Sequence, residues 1–320
     1  MEFLWLCVGL ALILVGANYL TEGSATVAQR FRVPEFIIGL TIVAVGTSAP
    51  ELVVSVLSAL RGEGAVAIGN VVGSNLFNVF MIGGLCAVLR PLPLTAQTIK
   101  RDIPFGVGAS LLLLLFTSDS FFFAGSEPRI NRLEGVVMLL AYVGLMSYTI
   151  RLARKPQTVE VDKSDEDKSD ERSLGVALLM IVGGLAGLIY GGNLFLEKAI
   201  LIAKMLGVSE SVIAITLVAG GTSFPELASS LVSVVKGRTQ MALGNIIGSN
   251  IANILLILGV SSSITPLSLG GITVGDILMV LLSSVLLFVA AYTFRRKEID
   301  RIEGVILLAI YGGYIYWLLA

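Results

Sequence analysis

Apolar residues along the chain fall into long runs separated by short polar stretches, and the runs match the thickness of a bilayer. A helix crossing the hydrocarbon layer needs about 20 mostly apolar residues. Ten such runs can be read: 3–21, 34–60, 64–89, 102–118, 133–151, 174–196, 209–235, 239–264, 274–294 and 302–319. Most connections between them are short. The exception is 152–173, where KSDEDKSDER places both signs of charge close together with few large apolar side chains. Such a stretch stays solvated. It is a linker, too short to hold a folded regulatory domain, between a first half (1–151) and a second half (174–320). The expected fold class is an all-α integral membrane protein of ten transmembrane helices.

Composition agrees and removes several function classes. AVILMFWYC make up 55% of the chain, DEKR 14%, and the mean hydropathy is +0.90. A soluble domain carries about 25% charged residues. The 22 Lys and Arg against 23 Asp and Glu leave no nucleic-acid footprint. There is no His, so the commonest proton relay and transition-metal ligand is missing. Cys7 and Cys86 both lie in apolar runs and predict neither a disulfide framework nor a thiolate metal site. Nothing at depth reads as HExxH or a Ser/Lys pair, so no enzyme is expected, and no cofactor. The first twenty residues lack the basic start and cleavage site of a signal peptide.

Basic residues also give an orientation. Alternate connections, those following odd-numbered runs, hold 17 of the 22 Lys and Arg; the other connections hold 5. The positive-inside rule then puts linker 152–173 in the cytoplasm and both termini outside.

The two halves share a sequence. TIVAVGTSAPE (41–51) matches TLVAGGTSFPE (216–226), and GNVVGSNLFN (69–78) matches GNIIGSNIAN (244–253), both at an offset of 175. Across 41–78 and 216–253, 19 of 38 positions are identical. Gly16, Asn18 and Glu22 match Gly191, Asn193 and Glu197 at the same offset, while RLEGVV (132–137) and RIEGVI (301–306) are offset by 169. Five runs per half is an odd number, so the second half must enter the membrane from the opposite side. Inverted-topology repeats of this kind place a binding site near the midplane where they meet.

Chemistry concentrates in the two repeated motifs. Glu51 and Glu226 lie deep within their runs, where a carboxylate is costly and marks a functional site. Each ends the pattern G-T-S-x-P-E: Gly46, Thr47, Ser48, Pro50, Glu51, and Gly221, Thr222, Ser223, Pro225, Glu226. Proline removes an N–H and clashes with the preceding turn, so the helix should break before the Glu. Freed carbonyls, the hydroxyls and the carboxylate are hard oxygen ligands, suited to Na⁺ or Ca²⁺. The bland alternative is a kinked helix whose Glu pairs with a base, but no Lys or Arg lies centrally in any run. The second motif supplies Asn70, Ser74, Asn75 and Asn78, matching Asn245, Ser249, Asn250 and Asn253. Ser74 and Asn78 share a helix face, as do Ser249 and Asn253. These four fit an ion shell. For Asn70, Asn75, Asn245 and Asn250, hydrogen bonding between helices fits equally well. Glu22 and Glu197 fit a vestibule or a solvated helix end, and the glycines near them fit a sliding face or tight packing.

Two deep carboxylates balance one Ca²⁺ or two Na⁺. Competition of both ions for the same oxygens is the minimal requirement for exchange.

On these residues the chain resembles the Ca²⁺/cation antiporter superfamily, in its prokaryotic Na⁺/Ca²⁺ exchanger branch, over nearly its whole length. The resemblance implies ten helices, with the first and sixth moving across the other eight. It also implies a cation site of Thr47, Ser48, Glu51, Ser74 and Asn78 with Thr222, Ser223, Glu226, Ser249 and Asn253, joined by carbonyls near Ala44 and Ala219. Glu51 and Glu226 would be its metal-binding carboxylates. The implied function is Ca²⁺ for Na⁺ antiport by alternating access in a prokaryotic plasma (inner) membrane, with the lipid bilayer and the two ions as partners. H⁺-coupled or K⁺-dependent Ca²⁺ exchange is the nearest alternative, and a cation channel belongs to a different class. Some members, including the K⁺-dependent branch, carry Asp where this chain has Asn253, which lowers the expectation of K⁺ co-transport.

Overall fold

The apolar runs fold as helices in a computed structural model that describes residues 1–118, 128–153, 172–206, 219–295 and 297–319. In the first half, α1 is Glu2–Phe31, α2 is Glu35–Thr47 and α3 is Ala49–Leu60. They are followed by α4 (Gly64–Leu89), α5 (Ile103–Thr117) and α6 (Arg132–Ala153). In the second half, α7 is Leu174–Met205, α8 is Phe224–Val235, α9 is Thr239–Ile264, α10 is Val274–Ala290 and α11 is Arg301–Leu319. Helices α1, α4, α6, α7 and α9 are each long and apolar enough to cross a bilayer, and the bent pair α2–α3 makes a sixth span. Residues 209–218 of the expected seventh run and most of the charged linker lie outside the described residues.

Two helices outrun their expected ends. The first apolar run ends at residue 21, yet α1 continues to Phe31; the sixth ends at residue 196, yet α7 continues to Met205. Hydropathy falls after Leu20, but Thr21, Ser24 and Thr26 are buried by protein, so polarity there does not end the helix.

Glycine sets how α1 meets α7. A Cβ added at Gly16 would lie 2.7 Å from the Gly184 carbonyl, and one at Gly9 would lie 2.8 Å from the Phe195 nitrogen. Gly23 meets Ala177, so the order of contacts runs antiparallel. The backbones therefore touch, as small residues allow in membranes. This pair has its own apolar cluster, with Ile13, Ala17, Leu20, Ile181 and Leu188 packed on Ile38, Val43, Ala228 and Met241. A larger cluster around Ile68, Val71, Phe80, Leu258, Leu267 and Ile277 holds the other helices together.

Four very short strands tie the halves. Strand β1 (Leu92–Pro93) pairs antiparallel with β4 (Glu298–Ile299), and β2 (Arg129–Ile130) pairs with β3 (Leu267–Ser268). Registers are Leu92 opposite Ile299 and Ile130 opposite Leu267. Each pair joins one strand from each half. Around β1–β4, Gln240 donates to the Pro93 carbonyl at 2.6 Å, Arg238 pairs with Glu35, and Lys236 pairs with Glu22 at 2.6 Å. The connections following α1, α4, α8 and α10 thus share one face. Strands β2 and β3, with Gly64 against Ser268, form the other.

Candidate functional site

The breaks before Glu51 and Glu226 build the site. The axis bends by 47° between α2 and α3, at Ser48, whose φ and ψ are −80° and 8°. Ser223 holds nearly the same angles, −89° and 8°, ahead of α8. In both halves Ser occupies the N-cap position, Pro sits in the first turn, and Glu follows three residues after the Ser. An N-cap Ser ordinarily accepts from its own first-turn N–H groups. Here neither Ser does so. Each reaches across to the other half instead: Ser48 Oγ donates to Glu226 Oε1 at 2.8 Å, and Ser223 Oγ donates to Glu51 Oε1 at 2.9 Å. Each carboxylate also sits in the first turn of its helix, where the macrodipole favours negative charge.

Both glutamates are fully enclosed, at 0% and 1% exposure. Among the described residues neither is paired with a Lys or Arg, and the ion pairs lie elsewhere, near helix ends. Two uncompensated carboxylates so placed would cost several kcal/mol each in desolvation. Among the described residues their neighbours are hydroxyls and amides, with no cluster of three or more acids, His or Cys.

Helices α4 and α9 supply those neighbours. Each contains a π-helical stretch, Phe77–Gly83 and Ala252–Leu258, which begins beside Asn78 and Asn253. Such wide turns recur at functional positions. Ser74 Oγ donates to Glu51 Oε1 at 3.2 Å, and Ser223 Oγ lies 3.0 Å from Ser74 Oγ. Ser249 differs from its counterpart: its hydroxyl turns to Asn245 Oδ1 at 3.5 Å. Asn78 donates its amide N–H to Asn250 Oδ1 at 3.1 Å, and Asn253 donates to Asn75 Oδ1 at 3.0 Å.

Those bonds leave a specific set of oxygens unmet. Glu51 Oε2, Glu226 Oε2, Asn78 Oδ1 and Asn253 Oδ1 are all buried with no hydrogen-bond partner. Buried acceptors are nearly always satisfied, so four unmet ones on matching residues ask for a reason. They are two anionic and two neutral oxygens, the donor chemistry of a hard cation.

The other expected ligands have other partners. Thr47 Oγ1 donates to Asn245 Oδ1 at 3.3 Å, and Thr222 Oγ1 to Asn70 Oδ1 at 3.4 Å. The Ala44 carbonyl, expected to be freed by the break, accepts from the Ser48 N–H at 3.0 Å and from Thr47 Oγ1 at 3.4 Å. Proline at position 50 removes a donor further along, so the turn ending at Ser48 still closes. Ala219 lies in a short helical turn, Ala219–Gly221, just before the break.

The four asparagines with two readings, Asn70, Asn75, Asn245 and Asn250, all make hydrogen bonds between helices. Asn70 donates to the Glu51 carbonyl and to Ser55, and Asn245 donates to Ser229 and Ser230. Asn75 and Asn250 exchange bonds with each other's backbone carbonyls at 3.5 and 3.3 Å. All four join helices. Asn75 and Asn250 do more, because they hold the amides of Asn253 and Asn78. Sequence reading missed that orienting role, and also missed Ser55 and Ser230, although each stands one turn after its glutamate.

Known proteins supply an independent line. The family model described as sodium/calcium exchanger protein matches residues 1–151 and 176–320. The putative antiporter CaxA of Alkalimonas amylolytica is 35% identical over 320 residues, covering 98% of each chain. The sodium/calcium exchanger MaX1 of Methanosarcina acetivorans is 32% identical, covering 98% of this chain and 97% of its own. Inner membrane protein YrbG of Escherichia coli is 31% identical over 98% of this chain and 94% of its own. The solved structure of the sodium-calcium exchanger NCX_Mj superposes with a TM-score of 0.83 at 29% identity, over 98% of this chain and 97% of that one. The chain therefore belongs to the sodium/calcium exchanger family of multi-pass membrane transporters.

Proposed function

We propose that this chain is a secondary active antiporter that exchanges Ca²⁺ for Na⁺ by alternating access at the Glu51–Glu226 centre. The observation that carries the reading is the set of four unmet buried oxygens, on Glu51, Glu226, Asn78 and Asn253. One Ca²⁺ balances the two carboxylates, as do two Na⁺. Mutual exclusion at shared oxygens then couples the fluxes. The hydroxyls of Ser48, Ser74 and Ser223, which now donate to the carboxylates, turn their lone pairs to the ion when it is present. The oxygens of Thr47, Thr222 and Ser249, with the carbonyls of Ala44 and Ala219, complete the shell as the surrounding bonds rearrange. A flexible oxygen cage favours Ca²⁺ over Mg²⁺, which demands near-ideal octahedra.

In this proposal the chain has ten spans in two inverted halves, with this centre near the bilayer midplane. The crossed strand pairs support the inversion, since the equivalent strands β1 and β3 lie on opposite faces. The smooth glycine contact of α1 with α7, and their separate apolar cluster, suit a pair that moves against the remaining helices. With 17 of 22 basic residues on the connections after odd-numbered spans, the linker lies in the cytoplasm of an inner membrane and both termini lie outside.

The deciding experiment is ⁴⁵Ca²⁺ uptake into Na⁺-loaded proteoliposomes, beside K⁺-loaded and pH-jumped controls. The reading expects uptake only with an outward Na⁺ gradient. Uptake driven by the pH jump, or uptake that needs K⁺, would replace Na⁺ coupling. Uptake without any counter-gradient would indicate a channel.

A further inference from the structure

Away from that centre, one groove carries basic chemistry that the described residues answer only in part. It lies between the start of α5 and the end of α6, has a volume of about 550 Å³, and is lined by Gln97, Lys100, Arg101, Phe105, Tyr148 and Leu152 among others. Residues 94–102 lead into it directly from β1, and the Leu94 N–H bonds the Lys297 carbonyl beside β4, so the groove belongs to the β1–β4 face.

Its wall has two kinds of surface. Phe105 and Tyr148 meet edge to face with centroids 6.2 Å apart, and Leu152 and Pro104 extend this apolar side. Lys100 and Arg101 make the other. Arg101 donates through Nε to Asp102 Oδ1 at 2.6 Å, and its side chain is only 10% exposed. Both of its terminal nitrogens are buried without a hydrogen-bond partner. A buried charged donor left unmet costs more than a neutral one. Lys100 and Arg151, the latter next to Leu152 on α6, are exposed and form no ion pair among the described residues. Asp102 offsets one of these three cations, so the groove is net positive among the described residues.

A small soluble anion would have no use for the aromatic and aliphatic wall. A fatty acyl chain alone would have no use for the cations. A phospholipid with net negative charge uses both, and an interfacial site with Tyr beside Lys and Arg is where such a headgroup lies. We propose that the α5–α6 groove binds the phosphate of an anionic phospholipid. Lys100 and the two unmet nitrogens of Arg101 hold the phosphate oxygens, and the acyl chains run along Phe105, Tyr148 and Leu152. The planar Arg fork suits two phosphate oxygens at once. Binding turns the guanidinium outward from its present cover while Nε keeps Asp102.

The test uses the full chain, purified in detergent and stripped of lipid, and needs no transport. Native mass spectrometry and thermal unfolding are read with phosphatidylglycerol, with phosphatidylcholine and with inorganic phosphate. Phosphatidylglycerol is expected to give retained adducts and a higher Tm, and the other two are not. Lys100→Gln should weaken the phosphatidylglycerol effect about fivefold, the value of one basic residue at an anionic lipid surface. Arg101→Gln should weaken it further, and Arg101→Lys keeps the site testable should the Gln variant fail to fold. Equal effects of phosphatidylcholine, or wild-type binding by Lys100→Gln together with Arg101→Lys, would overturn the proposal. The same stabilisation by inorganic phosphate alone would overturn the lipid as ligand and leave a soluble anion site. Because no ion flux is measured, failure here is distinct from failure of the antiport reading.

Discussion

Glu51 and Glu226 are bracketed by hydroxyls from the opposite half, and that exchange makes the two carboxylates one centre. Glu51→Gln and Glu226→Gln each keep the size of the side chain, replace one acceptor oxygen by a donor amide and remove one charge. Each is expected to lower ⁴⁵Ca²⁺ uptake by about 100-fold or more, equivalent to ~2.8 kcal/mol, with unchanged elution on size-exclusion chromatography. Asn75→Ala and Asn250→Ala remove the groups that hold the amides of Asn253 and Asn78. They should raise the KM for Ca²⁺ with a smaller effect on maximal rate. Asn253→Asp adds a third carboxylate, and its Na⁺ and K⁺ dependence of uptake should differ from that of the native chain. Much of this was legible in the sequence, because the motif occurs twice and deep carboxylates are rare. The division among the asparagines was not legible. Asn75 and Asn78 are alike in type, and only their partners, 172 to 178 residues away, separate the helix joiner from the unmet oxygen.

At the scale of the helix, glycine positions decide the packing. Gly39 and Gly244 bring α2 against α9 so closely that a Cβ would lie 2.3 Å from the Met241 carbonyl or 2.2 Å from the Phe36 carbonyl. Gly244→Ala should therefore push the two helices apart, at a cost of about 1–3 kcal/mol, visible as a lower Tm in detergent. On the β1–β4 face, α1 is fastened by Glu22 to Lys236 and by Thr21 to Ser233 at 3.2 Å. The matching residues on the other face, Glu197 and Arg61, are not joined to each other: Glu197 pairs with the adjacent Lys198 at 2.8 Å. Lys236→Gln should loosen α1 at one end only, giving faster hydrogen exchange near Glu22 and little change near Glu2. Five spanning helices and the bent pair α2–α3 were legible from apolar length. Their ends on α1 and α7 were not, since buried threonines and serines read as polar in a sequence whether lipid, water or protein surrounds them. The π-helical stretches were equally hidden, because no side-chain pattern distinguishes one extra residue in a turn.

For the molecule as a whole, the duplication at offset 175 was the most informative sequence feature, and it predicts which surfaces share a side. In a Cys7→Ser background, Ser173→Cys and Ser268→Cys should be labelled by a membrane-impermeant maleimide from opposite sides, the first from the cytoplasm. Labelling of both from one side would overturn the three crossings expected between them, 174–196, 209–235 and 239–264. The strand pairs left no trace in the sequence, because two residues are too few to show an alternating pattern.

Those small pairings have a further consequence. Strand β1 of the first half closes on β4 of the second, and β2 closes on β3 at the opposite face. The halves are thus buckled together at two separate faces of the bundle, independently of the peptide chain that connects them. The covalent joint should then be dispensable once folding is complete. Two separately encoded fragments, ending and restarting within 158–170, should find each other in the membrane and co-purify through a tag on only one. Either fragment alone should be degraded, since each carries half of every clasp and a single glutamate of the pair.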